Sequence, residues 1–167
     1  EHEITLQSWQ KCDSVVTLKI NEIDIPPKDL GIFYRCKGDC ITIEDKYGAG
    51  QLLFCDNTES EDVVLKSYQG CDSIVTFTLR LVEVDVKIEP PYELGCVVDQ
   101  TPLDGSYSYV ENYETVEYLW TMCPTCYILG SPTDPEVDTE VPGEYCLTIT
   151  ATAPDGTVCS GKKCVTV

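Results

Sequence analysis

Apolar and polar residues alternate along much of this chain with the two-residue period of strands that bury one face. The clearest run is Ser73-Ile74-Val75-Thr76-Phe77-Thr78-Leu79, where Val75, Phe77 and Leu79 share one side and Thr76 and Thr78 the other. Residues 3–7 and 14–25 alternate likewise. Shorter strand signals follow at 31–36, 40–43, 51–55 and 63–65. They are separated by the turn chemistry of Lys37-Gly38-Asp39, by the glycine-containing stretch 46–50 and by the acidic stretch 56–62, which reads as a loop. Beyond residue 88, strands are predicted at 116–121, 145–150 and 164–167, with turns at Pro142-Gly143 and at Ala153-Pro154-Asp155-Gly156-Thr157. Strand signals punctuated by turns every 8–12 residues predict an all-β sandwich or barrel.

The strongest strand is written twice. Ser8-Trp9-Gln10-Lys11-Cys12-Asp13-Ser14-Val15-Val16-Thr17 matches Ser67-Tyr68-Gln69-Gly70-Cys71-Asp72-Ser73-Ile74-Val75-Thr76 at Ser8, Gln10, Cys12, Asp13, Ser14, Val16 and Thr17. A repeat at this spacing speaks for the whole architecture. It divides the chain into the end of one module (1–25), a complete cysteine-rich module (26–87) and a third, differently patterned module (88–167). Pro26-Pro27 and Pro90-Pro91 punctuate the two boundaries. Proline's narrow φ range makes such linkers stiff, as in a rod. On this division residue 1 falls inside a module, and the chain is expected to be a piece of a longer array.

Composition narrows the class. Eleven cysteines in 167 residues are the staples that small β-modules need, and they point to an oxidising compartment and a secreted, cell-surface protein. The odd count follows if Cys12 pairs with a cysteine of its module's missing half; a free thiol is the alternative. The net charge of −18 excludes the basic footprint that nucleic acid or an anionic membrane surface would require. No apolar run approaches the ~20 residues of a membrane span.

Cys36-Lys37-Gly38-Asp39 followed by Gly70-Cys71-Asp72-Ser73-Ile74-Val75-Thr76 resembles the cysteine-containing repeats of very large secreted surface proteins of Bacteroidota. Tyr118 and Trp120, then Pro142-Gly143-Glu144-Tyr145, then Thr157-Val158-Cys159-Ser160-Gly161 and a closing Val165-Thr166-Val167, resemble the PKD-like and adhesin repeats of the same proteins. The resemblance implies tandem, disulfide-stapled Ig/PKD-like β-sandwich modules exported by the type 9 secretion system. Such proteins form adhesins, gliding filaments or capture appendages. It also implies acceptor sites for O-glycosylation, of the form Asp, Ser or Thr, then apolar, at Ser14 and Ser73. Ser73 shares a face with Val75 and Phe77, so modification requires that the strand begin after it.

Candidate chemistry is sparse. His2 is the only histidine, so a catalytic triad or a histidine-containing metal site would have no other imidazole to use; His2 reads as a surface residue, and no enzyme is expected. Cys123-Pro124-Thr125-Cys126 admits three readings: a structural disulfide, a redox pair, or half of a four-thiolate zinc site with Cys159 and Cys164. The acidic stretches 56–62 and 134–140 are either solvated loops or calcium ligands at module junctions; no other cofactor is expected. Tyr107, Tyr109, Tyr113 and Tyr118 suit either contact with a partner or strand packing.

For the disulfides, nesting around the Lys37-Gly38-Asp39 turn predicts Cys36–Cys71 and Cys40–Cys55. In the last module, Tyr145, Leu147 and Ile149 claim the inward face. Cys146 then points outward to meet Cys164, leaving Cys96–Cys159 and the small Cys123–Cys126 loop. An Ig-like Cys96–Cys146 bridge across Trp120 is the alternative. The expected function is a structural segment of a homo-oligomeric surface fibre in contact with neighbouring modules of the same chain. The alternative is an adhesive module that binds a cell-surface glycan or protein.

Overall fold

A computed structural model describes residues 2–7, 13–18, 26–48, 50–66 and 71–167; the side chains of 2–7, 13–18 and Ser60 are not described. Among the described residues, every regular element is a strand. In chain order these are β1 (His2–Gln7), β2 (Asp13–Leu18), β3 (Lys28–Cys36), β4 (Ile41–Asp45), β5 (Gly50–Phe54), β6 (Thr58–Lys66), β7 (Asp72–Asp85), β8 (Thr101–Asp104), β9 (Tyr109–Glu111), β10 (Thr115–Met122), β11 (Glu136–Thr139), β12 (Glu144–Thr152) and β13 (Val158–Thr166). The fold is therefore all-β, built of several small sheets held by four disulfides.

The internal repeat is structural as well as textual. Antiparallel β1 and β2 pair Leu6 with Ser14 and Gln7 with Asp13. Antiparallel β6 and β7 pair Leu65 with Ser73 and Lys66 with Asp72, the corresponding residues of the second copy.

Residues 26–87 form a sheet in the order β3-β7-β6, with β3 parallel and β6 antiparallel to β7. The hairpin β4–β5 lies apart from it as a two-stranded sheet. One core joins them: Val75, Phe77, Leu79 and Leu81 of β7 meet Ile41 of β4 and Val63 of β6, with Phe33, Leu52 and Phe54 packed around. Phe54 meets the edge of Phe77 at a centroid distance of 4.8 Å, a favourable aromatic arrangement. The stretch 56–62, expected as a loop, is largely strand: β6 begins at Thr58. Among the described residues β6 has a single neighbour, β7, its acidic side chains Glu59, Glu61 and Asp62 are exposed, and charges on an edge strand deter pairing with other chains.

Residues 88–167 contribute the antiparallel sheet β10-β12-β13 and the pair β11–β8. Leu103 and Val137 from the pair share a core with Trp120, Tyr145, Leu147 and Ile149 from the sheet. The Trp120 indole donates to the carbonyl of Asp134 at 3.1 Å. The Tyr145 hydroxyl is bonded to Thr139 Oγ1 at 2.7 Å and to the carbonyl of Val141 at 2.8 Å. The large polar side chains of this core thus have partners, which offsets the cost of burying them. The other acidic stretch, 134–140, also contains a strand, β11, whose Val137 and Thr139 are buried.

Candidate functional site: the junction of two cores

β7 is long because it serves both units. Val75, Phe77, Leu79 and Leu81 face the first core. The next residue, Val82, is also buried, with Ala151, Ala153 and Cys159 of the last unit. Val84 and Val86 continue on Val82's face, and Val86 belongs to the last unit's core. Because side chains alternate along a strand, two consecutive buried residues mean that the buried face has changed sides. Leu81 and Val82 mark that change, and the strand carries one core on each face.

The junction has four further ties. Asp85, Val84 and Glu83 pair antiparallel with Tyr109, Val110 and Glu111 of β9. Asn112, in the left-handed region at φ 58°, donates its side-chain amide to the carbonyl of Leu81 at 2.8 Å. The hairpin turn at 153–157 reaches β3: the Tyr34 N–H donates to Asp155 Oδ2 at 3.2 Å, and the Thr157 hydroxyl donates to the Tyr34 carbonyl at 3.1 Å. Burial raises the Asp155 carboxyl, but the Thr157 donors, the Tyr34 amide and the charge of Arg35 outweigh it and hold the group below its ordinary range. Finally, Gly161 lies against β7. A Cβ at that position would sit 2.9 Å from the Val84 carbonyl oxygen and 2.9 Å from a Val86 methyl, so no larger residue fits without movement.

The disulfides complete the junction and correct two expectations. Cys36 bonds Cys159, with Cα atoms 5.4 Å apart and a sequence separation of 123. It does not bond Cys71, and Cys159 does not bond Cys96. Cys159 pairs in register with buried Ala151 and shares the inward side of β13 with Val165. That side faces β7 and the end of β3, where Cys36 lies. Cys71 and Cys96 are both exposed, and Cys96 forms no disulfide among the described residues. The other three bridges are Cys40–Cys55, which extends the β4–β5 ladder, Cys146–Cys164, which joins directly paired residues, and Cys123–Cys126. Cys146 is thereby taken from the alternative bridge to Cys96. Cys12 lies outside the described residues.

The other candidates fall elsewhere. Cys123 and Cys126 sit in a loop after β10, closed on each other against Gly143. All four cysteines of the zinc alternative are consumed in disulfides. Among the described residues, no three Asp, Glu, Cys or His side chains converge to hold a metal. β7 begins at Asp72, so Ser73 is a half-buried strand residue paired with Leu65. The condition for a glycan acceptor there is not met; Ser14 lies in β2 and its side chain is not described. His2 falls in β1, likewise without a described side chain.

The four tyrosines separate. Tyr118 packs against the last core, whereas Tyr107, Tyr109 and Tyr113 are exposed. Tyr107 and Tyr92, 65% and 66% exposed, line an open cleft of about 460 Å³ with Pro90, Pro102, Glu89, Asp104 and Glu136. Asp104 and Glu136 are direct partners across β8 and β11, where like charges repel. Nothing in the sequence spacing links Tyr92 to Tyr107; β8, whose Asp104 carbonyl accepts the Glu89 N–H at 2.9 Å, brings their segments together.

Four disulfides fit an oxidising, extracellular environment, and among the described residues no helix is long and apolar enough to cross a membrane. Comparison of the chain with protein-family models, with curated proteins and with solved structures gives no match.

Proposed function

We propose that the chain is a structural repeat segment of a large extracellular surface fibre, a stalk, filament or hook that holds distance under load. The observation that carries the reading is the junction: one strand serves two cores, and a disulfide then bonds the units covalently. A linker between independently acting modules needs neither. The cysteine-rich repeat and its resemblance to secreted Bacteroidota surface proteins supply the context, including export by the type 9 system and neighbouring modules of the same chain as partners. Electron microscopy of the native assembly tests this. Rods or filaments with a repeating module are expected, and compact particles without them would reject the reading. Self-association is tested by sedimentation: acidic repulsion should ease with salt, so assembly should strengthen from low to high ionic strength. A monomer at every salt and protein concentration removes the homo-oligomeric part.

The cleft between Tyr92 and Tyr107 favours a second reading, an adhesive role for the last unit. Two exposed rings above opposed carboxylates suit a glycan, which stacks on aromatic faces and donates hydroxyls to carboxylates. A glycan array probed with the wild-type chain and with Tyr92→Ala/Tyr107→Ala tests it; signals unaffected by the double substitution would exclude the cleft.

A further inference from the structure

The Cys36–Cys159 bond changes what tension on this chain would stretch. Cys36 is the last residue of β3 and Cys159 is the second of β13. Load entering at Lys28 runs along β3 to Cys36, crosses the sulfurs to Cys159, and leaves along β13. Residues 37–158 form a loop closed by that bond and lie off the shortest covalent path. They contain the last unit's core and β4 to β7 of the middle one.

Both strands of the path are anchored along their length. β3 is in parallel register with β7 from Lys28–Val75 to Cys36–Val82, with one irregularity between Asp29 and Ile32. Lys37 continues the contact, its N–H donating to the Val82 carbonyl at 3.0 Å. β13 is in antiparallel register with β12 throughout, from Glu144–Thr166 to Thr152–Val158. Force along either strand axis therefore shears many backbone hydrogen bonds together instead of opening them singly. The joint is packed among Val82, Ala151 and Ala153, with Tyr34, Val84 and Val110 against it.

We infer that β3, the Cys36–Cys159 disulfide and β13 form one covalent strap that carries tension across both units and shields residues 37–158 from extension. The inference rests on the load-bearing reading for its purpose, but its test does not. The full oxidised chain is held by its two ends in a single-molecule force instrument and compared with Cys36→Ser/Cys159→Ser. The oxidised protein should give no long unfolding step. The double variant should release roughly 300 Å of additional contour length at ~3.5 Å per residue, the Cys40–Cys55, Cys123–Cys126 and Cys146–Cys164 bridges keeping the rest of the loop off the path. Equal long steps in both proteins would overturn the strap. Should the variant fail to fold, dithiothreitol added to the wild-type chain under constant load gives the decision by the size of the jump: a single jump well beyond the ~60 Å that opening Cys40–Cys55 or Cys146–Cys164 alone can release supports the strap, and smaller jumps only, or none, overturn it. A shielded chain whose native assembly shows no fibre would leave the strap standing and reject the proposed function.

Discussion

The middle and last units solve the same problem of small size in opposite ways. The last unit closes on itself. Its two indigenous bridges, Cys123–Cys126 and Cys146–Cys164, begin and end within it, and its buried Trp120 and Tyr145 find hydrogen-bond partners inside it. Among the described residues, the bridge that begins and ends within the middle unit is the short Cys40–Cys55 staple. Its core is apolar, centred on Phe77 and Leu79, while the end of its longest strand and its other described bridge both belong equally to its neighbour. The difference teaches that the middle unit is not an independent bead. Its stability is vested in the junction, whereas the last unit's is mainly its own.

The largest test of that contrast removes the shared bridge. Cys36→Ser/Cys159→Ser opens a loop closed across a sequence separation of 123 and should cost about 4–5 kcal/mol. Calorimetry should show the loss as an earlier transition for residues 26–87, with the last unit melting nearly as before; one undivided transition shifted as a whole would contradict the asymmetry. Next comes Phe77→Ala, which empties a side chain only 1% exposed from the middle core and should cost about 3–5 kcal/mol. Hydrogen exchange at the Trp120 indole N–H, which donates to the Asp134 carbonyl inside the last unit, should stay slow at temperatures where the middle unit has melted. Gly161→Val drives side-chain atoms into Val84 and Val86 and should cost about 1–3 kcal/mol. Here hydrogen exchange should accelerate at β9 and the end of β7 while the Phe77 region stays protected.

The smallest effect is electrostatic. Asp155 has its folded pKa below its ordinary 3.8, so the carboxylate is preferred in the folded state. Its contribution is present above about pH 4 and is lost as pH falls through the lower folded value. Asp155→Asn should therefore flatten the decline in melting temperature below pH 4 and leave stability at pH 7 only slightly reduced. A variant with the wild-type acid slope would show that the turn's contact with Tyr34 does not depend on that charge.

Much of this architecture was legible because alternation is a local signal. β7, β10 and β12 each state their buried face in the sequence, and the facing of Tyr145, Leu147 and Ile149, all buried, places Cys146 beside Cys164. The same reasoning, applied to β13, sets Cys159 inward with Val165. It does not yield the bridge to Cys36, because facing fixes a side and not a distance, and sequence carries no distance between modules. Short elements were missed for another reason. β8 contains Pro102, β9 spans Tyr109–Glu111, and β11 lies in an acidic stretch with one proline, so each looks like a turn until its neighbour is in place. β6 was half hidden because its first half carries Glu59, Glu61 and Asp62, which an edge strand can hold in water. The change of face in β7 is visible in retrospect. Apolar residues stand at 75, 77, 79 and 81 and then at 82, 84, 86 and 88.

That slip in the alternation constrains how a gene for such a chain can change. Gaining or losing one codon between the triplets for Val75 and Leu81, or between those for Val82 and Val86, turns part of a core outward, since each residue reverses the facing of all that follow in the same strand. Gaining one at the Leu81–Val82 step abolishes the slip and assigns both halves to one side. Only changes in pairs keep both cores, and those alter the reach of the strand by roughly 6–7 Å. Length in this stretch is thus inherited in steps of two, and a lineage that drifts by one must rebuild its neighbour's packing at the same time.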